Sequence, residues 1–502
     1  LEYEMDLPRE FNKETEAQAQ AIPIRIHQEE IKKRVDLRKL TTITIDPPDA
    51  RDFDDAISVE KISSDGKGSL YALYVHIADV AHYVQQDTPV DKEAAVRGNS
   101  YYLPEKAIPM LPRRLTEDVT CLSEAKAKLA VSVKMVLTKT GELKKTEVFK
   151  SIIRSKKRFT YDEVSEILSN PDYTDESSEK SDITELLFNA RDFALALRDK
   201  RLKRGAIELA LPEVAYIFDI HGSITDLIKK RKEISHIIIE EFMLKANEEV
   251  AKFISARKLP LIYRVHDDPE QKEIDSLINF VHSLDLPLKK RAGKREMQEL
   301  LRRVEGKPLE YPVNYALLRS MKKALYTAEW GAHYALALED YTHFTSPIRR
   351  YPDLIVHRIL SSILDKKNRT ETKRIISEQL KEIANHCSQT EQNAEKSERE
   401  FLKLRACIMM KERVDEIFDG YIISVTDFGF FVQLDNPPVE GLVHISSLSV
   451  GRRSRTNTFT FDPNTLSLWS RNSALSFRIG QRVRVRLESV NIEKRHLDFV
   501  VA

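Results

Sequence analysis

Apolar and β-branched residues alternate with polar ones in TTITID (41–46), a pattern that predicts a strand. DPPDARDFDD comes next and is expected to be a loop, because two prolines and crowded aspartates disfavour regular structure. AISVEKI and SLYALYVHIADV read as further strands joined by the turn-rich SSDGKGS, so the acidic loop lies near the start of a mixed sheet. From 186 to 256 the periodicity becomes helical. HIIIEEFMLKANEEVAKFI (236–254) sets Ile237, Glu241, Leu244 and Glu248 on one side and Ile238, Phe242, Lys245 and Glu249 on another, which predicts a long helix whose apolar stripe carries acids. Residues 270–340 read as mainly helical. YTHFTSPIRRYPDLIVHRIL (341–360) reads as a loop running into a helix whose start Pro347 and Pro352 mark, and 371–415 as a charged helix. From 416 short alternating segments return, with Gly420, Gly429 and Gly441 near strand ends and strict period two in VRVRLESV. These predict a small β-barrel, with the Arg- and Ser-rich stretch 451–474 as a loop inserted in it. No internal repeat is visible.

Length and composition sharpen this picture. A chain of 502 residues exceeds one ordinary core. The pattern divides it into a lead-in segment over 1–34, an α+β domain over 35–415 and the barrel over 416–502. Hydrophobic residues at 41% and charged residues at 32% suit a soluble globular protein, and a net charge of +1 gives by itself no sign of a nucleic-acid partner. Cys121, Cys387 and Cys407 are odd in number, widely spaced and without a CxxC pair. They argue against a disulfide framework or structural zinc and fit a reducing cytoplasm. No apolar run approaches the roughly 18 residues that span a bilayer, so no membrane association is expected. The opening LEYEMDLPRE has neither an initiator Met nor a signal-peptide pattern and reads as the edge of a longer or processed chain. No GxxxxGK[ST] loop or HExxH pair occurs, nor the carboxylate and histidine arrangement of a serine or cysteine hydrolase.

The candidate chemistry lies in the acidic loop, where Asp46, Asp49, Asp52, Asp54 and Asp55 fall within ten residues. Crowding like charges costs free energy unless a cation offsets them. Mg²⁺ takes oxygen ligands, usually one or two carboxylates with water and phosphate. Two such ions about 4 Å apart can drive phosphodiester cleavage. Read from the residues alone, three options stand: a divalent-metal centre, a solvated loop whose aspartates cap turns, and a calcium loop. The last lacks the Gly at position six and the Glu at position twelve of the helix–loop–helix pattern.

TIDPPDARDFDDA resembles the acidic signature of the ribonuclease R / ribonuclease II exoribonucleases, and HFTSPIRRYPDLIVHR (343–358) resembles their second signature. VHIADVAHYV, RGNSYYLPEKAIPMLP, IIIEEFMLKANEEVA and YRVHDDP lie between them in the family's order, so the resemblance covers about 35–410. The ARDFDDA form is closer to ribonuclease R, and the two cold-shock-type domains usual ahead of that catalytic domain are expected to be lacking from this sequence. The terminal barrel is similar to the family's five-stranded OB-fold RNA-binding module. The resemblance implies a processive, hydrolytic 3′→5′ exoribonuclease. Its partner would be single-stranded RNA with a free 3′ end, structured RNA with a 3′ overhang included, and its products nucleoside 5′-monophosphates. A two-metal mechanism with Mg²⁺, or alternatively Mn²⁺, is implied, as are a monomer and a cytoplasmic site of action.

The resemblance also assigns roles. Asp46, Asp52, Asp54 and Asp55 match the catalytic aspartates, with Asp46, Asp52 and Asp55 the more direct ligands and Asp54 the residue whose loss stops cleavage while sparing RNA binding. Asp49 is outside the shared pattern. Arg349 and Arg350 match arginines on the scissile phosphate, with a helix N-terminal pair to Asp353 as the alternative. Tyr102 matches the tyrosine that stacks on the 3′-terminal base, and Leu209 stands where a second aromatic would be sought. Glu398 aligns with an acidic residue near the ribonuclease II site, although its run of helical charges favours solvated surface. His266 and His343 are expected to be structural.

In the barrel, 451–502 holds ten Lys/Arg against four Asp/Glu, a local basic excess that suits RNA. Phe428, Phe431 and His444 are the expected RNA contacts, with Phe428 and Phe430 sharing a face if the strand is regular. Two other classes remain open: a binding protein that has lost catalysis, which the presence of all four aspartates disfavours, and a nuclease or phosphodiesterase of different specificity.

Overall fold

The computed structural model describes residues 2–65, 68–104, 106–170, 178–211, 213–218, 224–230, 232–289, 291–365, 369–449, 459–463, 465–470 and 475–502. The chain opens with α1 (Lys13–Ala21) and α2 (Gln28–Lys32), then forms β1 (Val35–Asp36), β2 (Ile43–Asp46), β3 (Asp55–Asp65) and β4 (Gly68–Ala78). Short helices α3 (Val80–Tyr83) and α4 (Pro89–Arg97) lead to the hairpin of β5 (Tyr101–Tyr102) and β6 (Ala107–Ile108). Then come β7 (Ala127–Thr138), β8 (Leu143–Arg154) and β9 (Lys157–Thr160). Seven of these strands form one sheet, in the order β1-β8-β7-β4-β3-β2-β9.

The central strand β4 is buried on both faces from Ala72 to Ala78, as its near-continuous apolar run requires. A polar rail crosses the sheet beside it. Thr42 meets Ser58 at 2.8 Å, Ser58 meets His76 Nε2 at 3.1 Å, His76 Nδ1 meets Ser132 at 2.7 Å, and Ser132 meets Ser151 at 2.6 Å. Burial pushes His76 down to about 3, so it is neutral at pH 7. A one-residue slip would leave these buried groups unpaired, so the rail fixes the register. At the sheet's other end β2 meets β3 only at Ile43–Ile57, then pairs in parallel with β9 as far as Asp46–Thr160. The divergence of β2 from β3 opens the space that residues 47–54 fill.

The helical layer comprises α5 (Tyr161–Ser169), α6 (Ser178–Arg204) and α7 (Ile234–Ser255), all packed on the sheet. Ile238, Phe242, Ala246 and Val250 of α7 are fully buried. The acids within its stripe are neutralised locally: Arg201 Nε donates to Glu241 at 3.0 Å, and Lys245 to Glu248 at 2.9 Å and Glu249 at 2.8 Å. The helical reading of 186–256 fails in the middle. EVAYIF and ITDLIKK pair as β10 (Glu213–Phe218) and β11 (Ile224–Lys230), because both are rich in the β-branched and aromatic residue types that favour strands. Beyond β12 (Tyr263–Val265), helices α8 (Gln271–Ser283), α9 (Lys294–Val304) and α10 (Glu310–Ser320) end at Ser320. β13 (Leu325–Thr327) and an irregular segment then reach α11 (Tyr351–Leu364) and the long α12 (Arg369–Met410).

The terminal barrel comprises β14 (Ile417–Thr426), β15 (Gly429–Leu434) and β16 (Glu440–His444), followed by β17 (Phe459–Asp462), β18 (Ser467–Ser470) and β19 (Ser476–Arg478), then β20 (Arg482–Asn491) and β21 (His496–Val501). It closes as β14-β15-β16-β21-β20. The expected inserted loop over 451–474 is corrected where it is described: β17, β18 and β19 form a separate three-stranded antiparallel sheet. Residues 451–458, 464 and 471–474 lie outside the described residues. Short strands rich in Ser and Thr hid this signal, and the apolar residues that set it, Phe459, Leu468 and Phe477, are far apart in sequence.

Two large cores organise the molecule. One lies between the sheet and α5, α6, α7 and α11. The other joins Phe418, Ile422, Phe430 and Phe499 of the barrel with Leu277, Phe280, Met297 and Leu317 of α8–α10. The lead-in segment is anchored rather than free. α1 packs on α4 with Ala19 fully buried, and Met5 and Leu7 join a small third core with Tyr101, Leu103, Ile108 and Phe401.

Gly98 caps α4 at φ +70°, and a Cβ there would stand 2.1 Å from Thr390 Oγ1 on α12. Gly98→Ala is expected to lower stability by about 1–3 kcal/mol. The measurement is a lower denaturant midpoint at unchanged slope.

Candidate functional site

The acidic loop is held by donors from three distant parts of the chain. Arg158 of β9 donates from Nη2 to the carbonyls of Pro47 at 2.7 Å and Pro48 at 3.0 Å, and its guanidinium lies 4.9 Å from the Phe53 ring centre. Cys121 brackets Asp52: its thiol accepts from Phe53 N–H and donates to the Arg51 carbonyl, both at 3.2 Å. Cys121 follows one turn of π-helix (Arg114–Val119), a form often found beside functional sites. The third tether is the Ile348 amide, which donates to Asp54 Oδ1 at 2.9 Å across 294 residues. It joins the two motifs that sequence reading singled out.

Asp46, Asp54 and Asp55 share an environment that disfavours charge. Burial pushes the Asp54 carboxyl well up, against the opposing Arg349 charge and Ile348 amide. Asp46 is raised by burial and by the neighbouring Asp55, with Arg158 and Arg349 opposing. Asp55 is raised by burial, again against Arg349. Asp46 Oδ2 and Asp54 Oδ2 are buried without a hydrogen-bond partner. Among the described residues no three Asp, Glu, His or Cys groups are drawn together tightly enough to cage a metal. A Mg²⁺ ion that keeps its waters and binds phosphate needs only one or two carboxylates, so this donor set fits it, and the orphaned oxygens are the groups such an ion would satisfy. Asp49 is exposed and stands apart.

The two arginines of SPIRR have different partners. Arg349 is half-exposed, with Nε 3.5 Å from Asp54 Oδ2 and Nη2 donating to Ser346 Oγ at 3.2 Å. Arg350 makes the helix N-terminal pair, donating to Asp353 Oδ1 at 2.7 Å, and the same oxygen accepts from Ser346 N–H at 2.8 Å. Asp353 thereby ties the turn that presents Arg349. The segment from Gly98 to Ser100 runs beside this turn, with Tyr351 N–H donating to the Gly98 carbonyl at 2.9 Å and Ser100 N–H to the Arg349 carbonyl at 3.0 Å. This pairing delivers Tyr102, whose hydroxyl donates to Asp52 Oδ2 at 3.3 Å while 44% of the residue stays exposed. Tyr101 points the other way, into the small third core.

The remaining candidates separate. Leu209 packs against the second core, and Glu398 is exposed. His343 accepts or donates at Tyr326 at 2.8 Å, and His266 Nδ1 faces the Ala335 amide at 3.3 Å, so both are embedded in the fold. Phe428 lies in the turn before β15 and is exposed, with Phe431 edge-on to it at 6.2 Å, whereas Phe430 is fully buried. The turn, rather than a regular strand, is why Phe428 does not share a face with Phe430. His444 pairs with Gly429 beside them. These contacts lie in the barrel, apart from the aspartates. Sequence reading missed Arg158, Cys121 and Tyr161. Tyr161 directly follows Thr160, the register partner of Asp46, and stacks on His236 at 4.1 Å. Burial, then Asp55 and Asp46, hold its hydroxyl protonated. Only the KRFTY run beside β9 could have signalled Arg158 and Tyr161.

The chain matches the family model described as RNB domain over residues 34–366 and that of the S1 RNA binding domain over 411–501. It is 37% identical over 506 residues to ribonuclease R of Thermotoga maritima, covering 100% of this chain and 69% of the relative. Ribonuclease R of Escherichia coli is 35% identical over 503 residues, covering 98% and 60%. Among solved structures, Mycoplasma genitalium RNase R in complex with ribose-methylated single-stranded RNA gives a TM-score of 0.91 at 28% identity, covering 100% of this chain and 77% of that one. This chain spans 60% of the Escherichia coli relative's length and 59% of a Lactococcus lactis one's.

Arg158→Lys keeps the charge but cannot hold two carbonyls at once. Amide exchange over residues 49–53 is expected to accelerate at least about tenfold, while the barrel is unaffected. Unchanged exchange in that segment would remove Arg158 as a brace.

Proposed function

This chain belongs to the RNB-domain ribonucleases of the ribonuclease R family, and on that premise we propose that it hydrolyses single-stranded RNA from a free 3′ end, releasing nucleoside 5′-monophosphates. One observation carries the reading. Two buried carboxylate oxygens without hydrogen-bond partners, on Asp46 and Asp54, lie in one electrostatic cluster with the half-exposed Arg349 and with Tyr102 on Asp52. Such a cluster can take a cation and a phosphodiester together.

RNB ribonucleases depend on a divalent metal. We assign the set Asp46, Asp52, Asp54 and Asp55 to holding it, with one or two carboxylates to an ion, as Mg²⁺ with Mn²⁺ the alternative, and a bound ion would supply Lewis acidity toward the scissile phosphate. Asp54 is fixed by the Ile348 amide, which leaves its other oxygen toward Arg349. Arg349 offsets charge that builds on the phosphoryl oxygens. Arg350 acts through Asp353, which fixes the turn bearing Arg349. Tyr102 offers its ring to the 3′-terminal base, and a flat ring accepts any base. Phe428, Phe431 and His444 grip the strand farther from its end. A partly paired RNA with a 3′ overhang fits the same grip. The three cysteines are buried and unpaired, which suits a monomer working in a reducing cytoplasm. No described helix is long and apolar enough to cross a membrane.

The test is a time course with end-labelled RNA that is partly duplex and bears a 3′ overhang. The expected result is progressive 3′→5′ shortening with 5′-mononucleotides as product, blocked by a 3′-phosphate. Internal cuts would favour an endonuclease instead. Asp54→Asn should abolish shortening and leave binding of single-stranded RNA near its original strength. A variant that still shortens RNA at a substantial rate removes the role given to Asp54. Phe428→Ala with Phe431→Ala should weaken RNA affinity about tenfold or more, while the rate at saturating RNA is retained. The shared second core makes these point changes cleaner than deleting the barrel, which would expose Leu277, Phe280 and Leu317.

A further inference from the structure

The barrel is less basic than its second half suggests. Over 416–502 ten Lys/Arg face nine Asp/Glu. On β20, Arg482 pairs with Asp435 at 2.7 Å, Arg484 with Asp419 at 3.2 Å and Arg486 with Asp415 at 2.6 Å. Arg495 is held by Glu4 at 2.9 Å and Glu400 at 2.6 Å. The positive surplus lies elsewhere. Along 451–478 the sequence carries five arginines and a single acid, Asp462. The described part of this stretch builds the inserted sheet β17–β19, and of the five arginines Arg478, on β19, lies within it.

The two faces of that sheet differ. Phe459, Leu468 and Phe477 are buried inward, and Phe477 stacks on Phe430 of the barrel core at 4.8 Å. Thr460, Trp469 and Ser476 form one cross-strand row on the opposite face, all exposed, with Arg478 exposed on the neighbouring strand. Trp469 is 56% exposed. Isolated exposed apolar residues are common, but here the largest aromatic side chain lies on a hydroxyl-bearing sheet face within the barrel's basic stretch. The position fits as well. The 3₁₀ turn Ile445–Ser449, which directly follows His444, touches both β15 and β17. The inserted sheet therefore borders the edge where Phe428 and His444 are exposed. An aromatic ring on a sheet, with hydroxyls and an arginine on the same strands, is how single-stranded nucleic acid is held without sequence preference.

We propose that the outer face of β17–β19 is a second RNA-contact surface, with Trp469 stacking on an unpaired base of the strand whose 3′ end reaches the aspartates. The proposal rests on the RNA-degrading function proposed above. Blunt duplex RNA offers no free base face and would not engage Trp469.

The chain has two tryptophans, Trp330 and Trp469, so Trp330→Phe leaves Trp469 as the sole indole reporter. Asp54→Asn is added to stop cleavage. Titration with unlabelled single-stranded oligoadenylate is expected to quench Trp469 emission in step with the anisotropy rise of a fluorescein-labelled copy. A blunt duplex should leave the emission unchanged. In the Asp54→Asn protein, Trp469→Ala should weaken binding of the single strand about tenfold, and Trp469→Phe should retain most of it. If anisotropy reports binding while Trp469 emission stays fixed, or if Trp469→Ala binds as before, the surface is refuted and the enzyme assignment stands. If no oligonucleotide binds at all, the RNA reading fails along with the surface.

Discussion

The bond from the Ile348 amide to Asp54 is the contact on which the site's geometry depends. Burial raises three carboxyls here, Asp46, Asp54 and Asp55, and the charge of a neighbouring aspartate adds to the effect at Asp46 and Asp54. A loop of that composition would turn its charges outward if free. It is kept folded inward because donors reach it from outside: the Ile348 amide to Asp54, the Cys121 thiol to the Arg51 carbonyl and the Arg158 guanidinium to the Pro47 carbonyl. None of the three is close to the loop in sequence. The site is therefore a tertiary construction, and its carboxylates cannot assemble before β9, the π-helical turn and the start of α11 are in place.

This dependence spreads outward through backbone pairing. The turn that carries Ile348 and Arg349 runs beside Gly98–Ser100, which leads into the Tyr102 hairpin. That hairpin rests on a small core completed by Met5 and Leu7 from the lead-in segment and by Phe401 of α12. Glu4 in turn binds Arg495 of the barrel. The lead-in segment, which sequence pattern alone would call a linker, links the Tyr102 hairpin to the barrel.

What the sequence disclosed and what it hid follow one physical rule. β2, the acidic loop and the start of α11 were legible, because alternation, proline and charge density are local signals. The hairpin β10–β11 and the inserted sheet β17–β19 were not. Short strands compete poorly with a surrounding helical or loop-like composition until partners bury their alternate residues. The aspartates were legible as a group through composition, and as a family signature through their spacing. The different duties of Arg349 and Arg350 were not, since adjacent identical residues are separated only by which carboxylate each meets. Arg158 and Cys121 were invisible for a related reason: each acts on backbone atoms, and backbone acceptors leave no trace in sequence. The barrel's charge was misjudged because its arginines were counted apart from Asp415, Asp419 and Asp435, which precede them in the chain and neutralise them on the sheet.

The division of labour between chemistry and grip has a mechanical consequence. The barrel shares a core with α8–α10, Tyr311 meets Tyr421 edge-on at 5.2 Å, and Gly480 at φ +83° has no room for a Cβ, which would stand 2.9 Å from Leu309. An apolar interface of this kind holds two modules as one body, whereas a polar interface would permit hinge motion. Phe428, Phe431 and His444 of the barrel thus stand at a fixed span from Tyr102 and the aspartates. Paired arginines on β20 add little long-range attraction, so affinity there has to come from stacking and from close contact. A strand held in that way can advance without breaking ion pairs at each step, because one flat base replaces the next on the same ring. Under the roles proposed above, weakly charged stacking surfaces at a fixed distance from the aspartates suit an enzyme that must hold RNA and let it slide.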